Sequence, residues 1–132
     1  MGAVKYLIDT HVFLWAMQKD VMLSNTAKIA LSDASADKYV SSISAYEIMY
    51  KYKLGKLAEY AYVAENYLSI LKAFGSYELP INTLHTHLAG SLDWPHRDPF
   101  DRFLAAQASI ENLTLITNDT AFDSLHWVKL LW

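Results

Sequence analysis

The chain has 132 residues, of which 53% are hydrophobic and 19% are charged, so residues 1–132 are expected to form a single domain with its own core. It contains no cysteine, which excludes disulfides and thiolate metal sites, and its formal net charge of −3 disfavours nucleic-acid binding through a broad basic surface. The apolar start of the chain meets Asp9 and His11 too early for a signal peptide or a membrane span. We therefore expect a cytoplasmic protein with no membrane partner.

Short apolar runs alternate with segments of helical periodicity, which is the pattern of an α/β fold. Helices are expected where apolar residues recur at helical spacing, and the proline-rich sequence DWPHRDP is expected to be a loop. The predicted strands span residues 6–8, 39–42, 113–117 and 128–131. The predicted helices span residues 12–17, 24–35, 44–55, 61–74, 83–91 and 100–111.

Acidic residues fall close to the ends of these strands. Asp9 and Asp119 each follow a predicted strand directly, which is where open α/β sheets bind ligands. Glu47 is expected in the first turn of a helix that follows a strand, and Asp98 and Asp101 flank the start of the helix after the loop. Hard cations such as Mg²⁺ and Mn²⁺ need several oxygen ligands in one place. If these carboxylates converge, the sequence predicts a metal site.

Each acid can also be explained as a helix cap or a turn residue. Ser44 and Glu47 have the spacing of a capping box, and for Glu47 taken alone this is the simpler explanation. Caps have no reason to cluster, whereas metal ligands must, so convergence decides between the two hypotheses. The acids with a cap or turn explanation of this kind are Asp9, Asp98, Asp101 and Asp119.

Four segments in chain order carry a family resemblance. They are LIDTHVFLW at 7–15, SISAYEIMYKYKLGKL at 42–57, HRDPFDRFLAAQA at 96–108 and LITNDTAF at 115–122. Together they resemble the PIN-domain family, and in particular the VapC-type toxins, which are ribonucleases of bacterial and archaeal toxin/antitoxin pairs. The segment HRDPFDR is the most specific of the four and marks a subgroup.

The resemblance implies a three-layer α/β/α fold with a central, mainly parallel sheet. It also implies dependence on Mg²⁺ or Mn²⁺, an RNA substrate, a cognate antitoxin and frequent homodimers. The catalytic and metal-binding acids that it implies are Asp9, Glu47, Asp101 and Asp119. Asp98 is expected to support them or to cap a helix, and Thr10, Thr117 and Asn118 to orient them or bind water. Arg97 and Arg102, beside the acids, are candidates for phosphate contact or are solvated charges.

The expected reaction is hydrolysis of RNA phosphodiester bonds, in which one or two cations activate water and stabilise the leaving oxygen. A metal-dependent DNA nuclease is an alternative, because the same chemistry cuts both backbones. A PIN-like module that only binds is another. The five histidines are not expected to form a metal site. The many tyrosines between 46 and 67 are expected mostly in the core, and any exposed ones would suit a homodimer or an antitoxin segment.

Overall fold

A five-stranded parallel sheet forms the centre of the computed structural model, which describes residues 2–132. Its strands, in chain order, are Lys5–Ile8 (β1), Asp37–Ser41 (β2), Tyr77–Leu79 (β3), Thr114–Ile116 (β4) and Leu130–Leu131 (β5). They lie side by side in the order β3-β2-β1-β4-β5, and every neighbouring pair is parallel. The first strand therefore lies at the middle of the sheet.

Seven α-helices connect and cover the strands in the described part of the chain. They are Thr10–Gln18 (α1), Asn25–Ser32 (α2), Ser42–Lys53 (α3), Ala61–Glu65 (α4), Tyr67–Phe74 (α5), Thr83–Ser91 (α6) and Pro99–Ile110 (α7). Short 3-10 helices lie at Asp20–Met22, Ala58–Tyr60 and Thr120–Ser124. None of the helices in residues 2–132 has the length and apolar character needed to cross a membrane.

The two faces of the sheet carry separate hydrophobic cores. Successive residues of a strand point to opposite faces, so Ile8 packs with apolar residues of α1, α2, α4 and α5, whereas its neighbour Leu7 packs with residues of α7. The same alternation places Ile116 in the first core and Leu115 in the second. The expected three-layer α/β/α fold with a parallel sheet is confirmed.

Several predicted elements differ from the structure in their bounds. Helix α3 begins at Ser42 and is capped by Ser41, whose hydroxyl accepts a hydrogen bond from the Ile43 amide at 3.1 Å, so a helix start at Ser44 is wrong. The predicted helix 61–74 is two helices, α4 and α5, which meet at Asn66. Strand β3 was not predicted, because it is three residues long and only Leu79 of it is buried.

Other local signals were interpreted correctly. Ser24 caps α2 through a hydrogen bond from the Ala27 amide at 3.0 Å, and α6 has the predicted bounds. Helix α5 ends at Gly75, which has a φ of 79°. This left-handed conformation carries little cost for glycine and a steric cost for other residues, which explains why the helix stops there.

Candidate active site

The carboxyl ends of β1 and β4 bring two of the predicted acids together. Ile8 pairs with Ile116 across the sheet, so the next residues, Asp9 and Thr117, lie side by side. The Thr117 hydroxyl donates a hydrogen bond to Asp9 Oδ2 at 2.7 Å and accepts one from the Asp119 amide at 3.0 Å. A single buried hydroxyl therefore fixes the Asp9 carboxylate and the backbone that carries Asp119.

The start of α3 positions Glu47 beside this pair. Ser44, the third residue of the helix, is completely buried, and its Oγ lies 2.7 Å from Thr10 Oγ1 at the start of α1. This hydrogen bond joins the two helices one turn before Glu47, which lies in the second turn of α3. The Glu47 side chain is buried and forms an ion pair with Lys51, with 2.5 Å between Oε2 and Nζ.

The start of α7 supplies the remaining acids. Asp98 caps the helix, since its Oδ1 accepts hydrogen bonds from the amides of Phe100 at 2.9 Å and Asp101 at 3.4 Å. The carboxylate of Asp101, in the first turn, lies 2.6 Å from His96 Nε2. The loop before the helix is therefore tied to the same acid that the sequence assigns to the site.

Arg102 holds this loop in place. Its guanidinium donates to the backbone oxygens of Ala89, Leu92, Trp94 and His96, at distances from 2.7 to 3.1 Å. Both terminal nitrogens and Nε are used in these bonds, which leaves little capacity for a phosphate. The structure thus argues against the predicted phosphate contact by Arg102 and makes it a structural residue of the loop. Arg97, in contrast, is exposed.

The alternative that the acids belong to helix starts holds for some of them. Asp101 lies in the first turn of α7, where the helix dipole favours an acid, as that alternative expects. Asp98 caps α7, and Asp119 Oδ1 accepts from the Ala121 amide at 2.9 Å, so the capping hypothesis holds for these two. Asp9 occupies the cap position of α1, but its side chain makes no capping hydrogen bond. The predicted capping box of Ser44 and Glu47 is wrong, because Ser41 is the cap and Ser44 lies inside the helix.

The four predicted acids line one open cavity of about 500 Å³ at the carboxyl edge of the sheet. They come from four different places in the chain: the end of β1, helix α3, helix α7 and the segment after β4. Thr10 and Thr117 are buried beneath the acids. The residues that share the cavity wall with Asp9, Glu47, Asp101 and Asp119 are His11, Trp15, Lys51, Asp98, Asn118 and Thr120.

Burial and mutual repulsion make this cluster unfavourable when all its carboxylates are charged. Burial raises the pKa of Asp9 to about 7, with further contributions from the charges of Asp101, Glu47 and Asp119, while the Thr117 hydroxyl opposes the rise. Burial likewise raises the pKa of Asp101 to about 6, against the lowering effect of its hydrogen bond to His96. A bound cation would relieve both effects.

The donor set of the cavity fits a hard divalent cation. Four carboxylates from separate elements line the same cavity, and Mg²⁺ and Mn²⁺ prefer several oxygen ligands of this kind in one place. A second group shares Asp101 with it, since ligand atoms of His96, Asp98 and Asp101 lie within 4.8 Å of one another. In the described residues this is the one group of three or more such side chains whose ligand atoms come this close, so the four acids of the cavity are more widely spaced. In that group, however, Asp98 is engaged as a helix cap and His96 is bonded to Asp101. The four-acid cavity offers more carboxylates and draws them from four separate elements, and for this reason we regard it as the better candidate centre.

Sequence reasoning did not assign Lys51, His96 or His11 to the site or its surroundings. Lys51 follows Glu47 by one helical turn, a spacing that indicates an ion pair but not its place in the cavity wall. His96 reaches Asp101 across a proline-containing loop, and no regular spacing signals that contact. His11 lies at the cavity wall with its ring edge-on to Trp15, at a centroid distance of 5.1 Å.

Several solved structures have a fold similar to that of this chain. A sequence search of curated proteins gives no match. Among solved structures, a chain of VapBC2 from Rickettsia felis bound to a promoter DNA fragment has 22% identity and a TM-score of 0.67, with 97% of this chain and 98% of that chain covered. A chain of a toxin-antitoxin complex from Klebsiella pneumoniae has 19% identity and a TM-score of 0.68, with 96% of each chain covered.

A chain of DNA-bound VapBC from Salmonella typhimurium is similar to the same degree, with 18% identity, a TM-score of 0.68 and 97% of each chain covered. At these identities the likeness is one of fold. The sequence profile of the PIN domain matches residues 6–128, which include all four acids of the cavity. The chain therefore belongs to the PIN domain family.

Proposed function

We propose that this chain is a divalent-metal-dependent endoribonuclease that hydrolyses RNA phosphodiester bonds, and that it is the toxin of a type II toxin/antitoxin pair. The observation that carries the proposal is the convergence of Asp9, Glu47, Asp101 and Asp119 on one cavity. A capping hydrogen bond accounts only for Asp119, and a favourable place at a helix start accounts for Asp101, but neither explains why the four acids share a cavity, whereas metal binding does. We propose these four acids as the metal ligands and the catalytic group.

The residues of the cavity would have different roles in such a site. The four carboxylates would hold Mg²⁺ or Mn²⁺, which supplies activation of water and stabilisation of charge on the phosphodiester oxygens. Thr117 orients Asp9 and Asp119, and Thr10 joins the start of α1 to the helix that carries Glu47. Asp98 would support the site by fixing the start of α7. Asn118, which is exposed at the cavity wall, could bind water.

Lys51 balances charge in the cavity. The charge of Glu47 and its hydrogen bond raise the pKa of Lys51, with Asp98 and Asp101 contributing, although burial acts in the opposite direction. The lysine is therefore cationic at neutral pH and lies at the wall where a phosphate would enter. His11 is neutral there, because burial and the charge of Lys51 lower its pKa.

The toxin role rests on different observations from the nuclease role. Two of the similar folds come from structures named as VapBC, and one from a structure named as a toxin-antitoxin complex. Val21, Ile29 and Leu68 are 79%, 71% and 78% exposed, and a partner protein could cover such apolar side chains. We propose an antitoxin partner and a homodimer on this basis.

The nuclease proposal is tested by cleavage of end-labelled RNA and DNA of the same sequences. The wild type is assayed with Mg²⁺, with Mn²⁺ and with EDTA, beside Asp9→Asn and the matched surface control Asp20→Asn. We expect RNA to be cut only with metal, by the wild type and by Asp20→Asn but not by Asp9→Asn. Selective cutting of DNA would replace the substrate, and metal binding without any cleavage across a broad RNA panel would favour a binding module.

The toxin proposal needs a separate test in cells. Induced expression in a bacterial host should arrest growth, and the arrest should disappear with Asp9→Asn at equal protein level. Normal growth with an active nuclease would separate the two parts of the proposal and reject the toxin role.

A further inference from the structure

A second open groove, of about 720 Å³, adjoins the acidic cavity. We call it the aromatic groove and define it by Tyr46, Tyr50, Leu54, Lys56, Arg97 and Phe100, which line it. Lys51 and Asp98 line both the groove and the cavity, so the two spaces are adjacent. An RNA chain that places a phosphate at the acids could therefore extend into the groove.

Two tyrosines of the groove are exposed and form a platform, with the half-buried Phe100 beside them. Tyr46 is 58% exposed and Tyr50 is 47% exposed, on successive turns of α3. Their rings are 5.5 Å apart and nearly parallel, with an interplanar angle of 13°, and the Phe100 ring lies 6.0 Å from that of Tyr46. Exposed, nearly parallel rings can stack with nucleic-acid bases, whatever the base.

The charges around the platform are those that a phosphate backbone needs. Lys51, Lys56 and Arg97 line the groove, in a chain whose formal net charge is −3. Among residues 2–132, Asp98 is the one acid on its wall, and its Oδ1 already accepts amide hydrogen bonds. A second copy seated symmetrically on this groove would bring like charges together, which disfavours a homodimer here.

We propose that the aromatic groove binds single-stranded RNA beside the bond that is cut, with bases on Tyr46 and Tyr50 and phosphates at Lys56 and Arg97. The inference rests on the proposed function, because RNA is the substrate proposed for the acidic cavity. The inference adds that the RNA is not base-paired where it lies in the aromatic groove, since a base must leave its helix before it can stack on a side chain.

The first test is binding of fluorescently labelled single-stranded RNA, measured by anisotropy in Ca²⁺ with the RNA recovered intact. Tyr46→Ala should weaken binding by about 5- to 150-fold, which is the range for loss of one stacked base. Tyr46→Phe keeps the ring and should bind like the wild type. Tyr62→Ala is the matched control, because Tyr62 is 70% exposed but lies outside the groove. Tyr50→Ala gives a second, independent loss of a ring.

The second test is the salt dependence of the same binding. Replacing Lys56 and Arg97 with Gln should reduce the slope of log affinity against log salt by about 1.4, from about 0.7 per phosphate contact on single strands. The matched control replaces Lys28 and Lys72, two exposed lysines on other helices, with Gln and should leave the slope unchanged. An RNA duplex of equal length should bind more weakly than the single strand.

The outcomes separate this inference from the proposed function. If Tyr46→Ala and Tyr50→Ala bind RNA like the wild type while metal-dependent cleavage is present, the groove inference is wrong and the nuclease stands. If both variants lose binding but no RNA is ever cut, the groove stands and the nuclease fails. Three other results would also overturn the inference. One is that the wild type binds no RNA, and another is that it prefers duplex RNA to the single strand. The third is that the variants change their oligomeric mass without changing their affinity for RNA.

Discussion

The Asp9 carboxylate should destabilise the metal-free protein, and its removal should therefore increase stability. Asp9 is 7% exposed, and its pKa is raised from 3.8 to about 7. Because the folded state then binds a proton more tightly than the unfolded state, the contribution of Asp9 to stability is largest below about pH 4 and is lost as the pH rises through about 7. This rise in pKa corresponds to a loss of about 4 kcal/mol in the free energy of unfolding between low pH and pH 8.

Asp9→Asn removes the charge and keeps an oxygen that can accept the hydrogen bond from Thr117. In EDTA we expect this variant to be about 2 to 4 kcal/mol more stable than the wild type at pH 8, and the difference to vanish near pH 4. The assay is urea unfolding at pH 4, 6 and 8, with Asp20→Asn as the control for a general change of charge. If Asp9→Asn is less stable than the wild type at pH 8, or if the stability difference between the two proteins does not change with pH, then the buried charge of Asp9 does not destabilise the fold and the account is wrong.

Three further predictions concern Thr117, Arg102 and the effect of Mn²⁺ on stability. Thr117→Val removes the donor to Asp9 and the acceptor for the Asp119 amide, so metal affinity should fall by about 10- to 100-fold in calorimetric titration, while Thr117→Ser should restore it. Arg102→Gln should cost roughly 2 to 4 kcal/mol in urea unfolding and speed hydrogen exchange in the loop before α7, because carbonyls lose their donor. The exposed Arg97→Gln should change stability by less than about 0.5 kcal/mol. Mn²⁺ should raise the melting temperature more at pH 8 than at pH 5, since protons compete for Asp9 and Asp101 at the lower pH, and equal shifts would contradict the account.

The position of the acids at the sheet edge could be predicted because it depends on simple features of the chain. The β1 and β4 segments are strongly apolar, and Asp9 and Asp119 follow them closely, so a parallel sheet brings both to one edge. The helix that starts after Asp98-Pro99 could also be placed, because an Asp cap and a proline at the first helical position indicate its start.

Side-chain contacts that depend on tertiary packing could not be predicted. Ser41 and Ser44 are both plausible caps for α3, and only the packing of α1 against α3 places Ser44 inside the helix, bonded to Thr10. The contact between His96 and Asp101 depends on a loop conformation fixed by Arg102. Strand β3 gave little signal because two of its three residues are exposed at the edge of the sheet.

The central claim is that four carboxylates from separate elements hold the divalent cation together. The most direct measurement is titration of Mn²⁺ into the metal-free wild type and into Asp9→Asn, Glu47→Gln, Asp101→Asn and Asp119→Asn, with folding of each variant checked. The account predicts that each substitution weakens Mn²⁺ binding about tenfold or more, and that Asp98→Asn weakens it less. If His96→Ala and Asp98→Asn abolish binding while Asp9→Asn and Glu47→Gln leave it unchanged, the metal lies at the other group of residues and the account is contradicted.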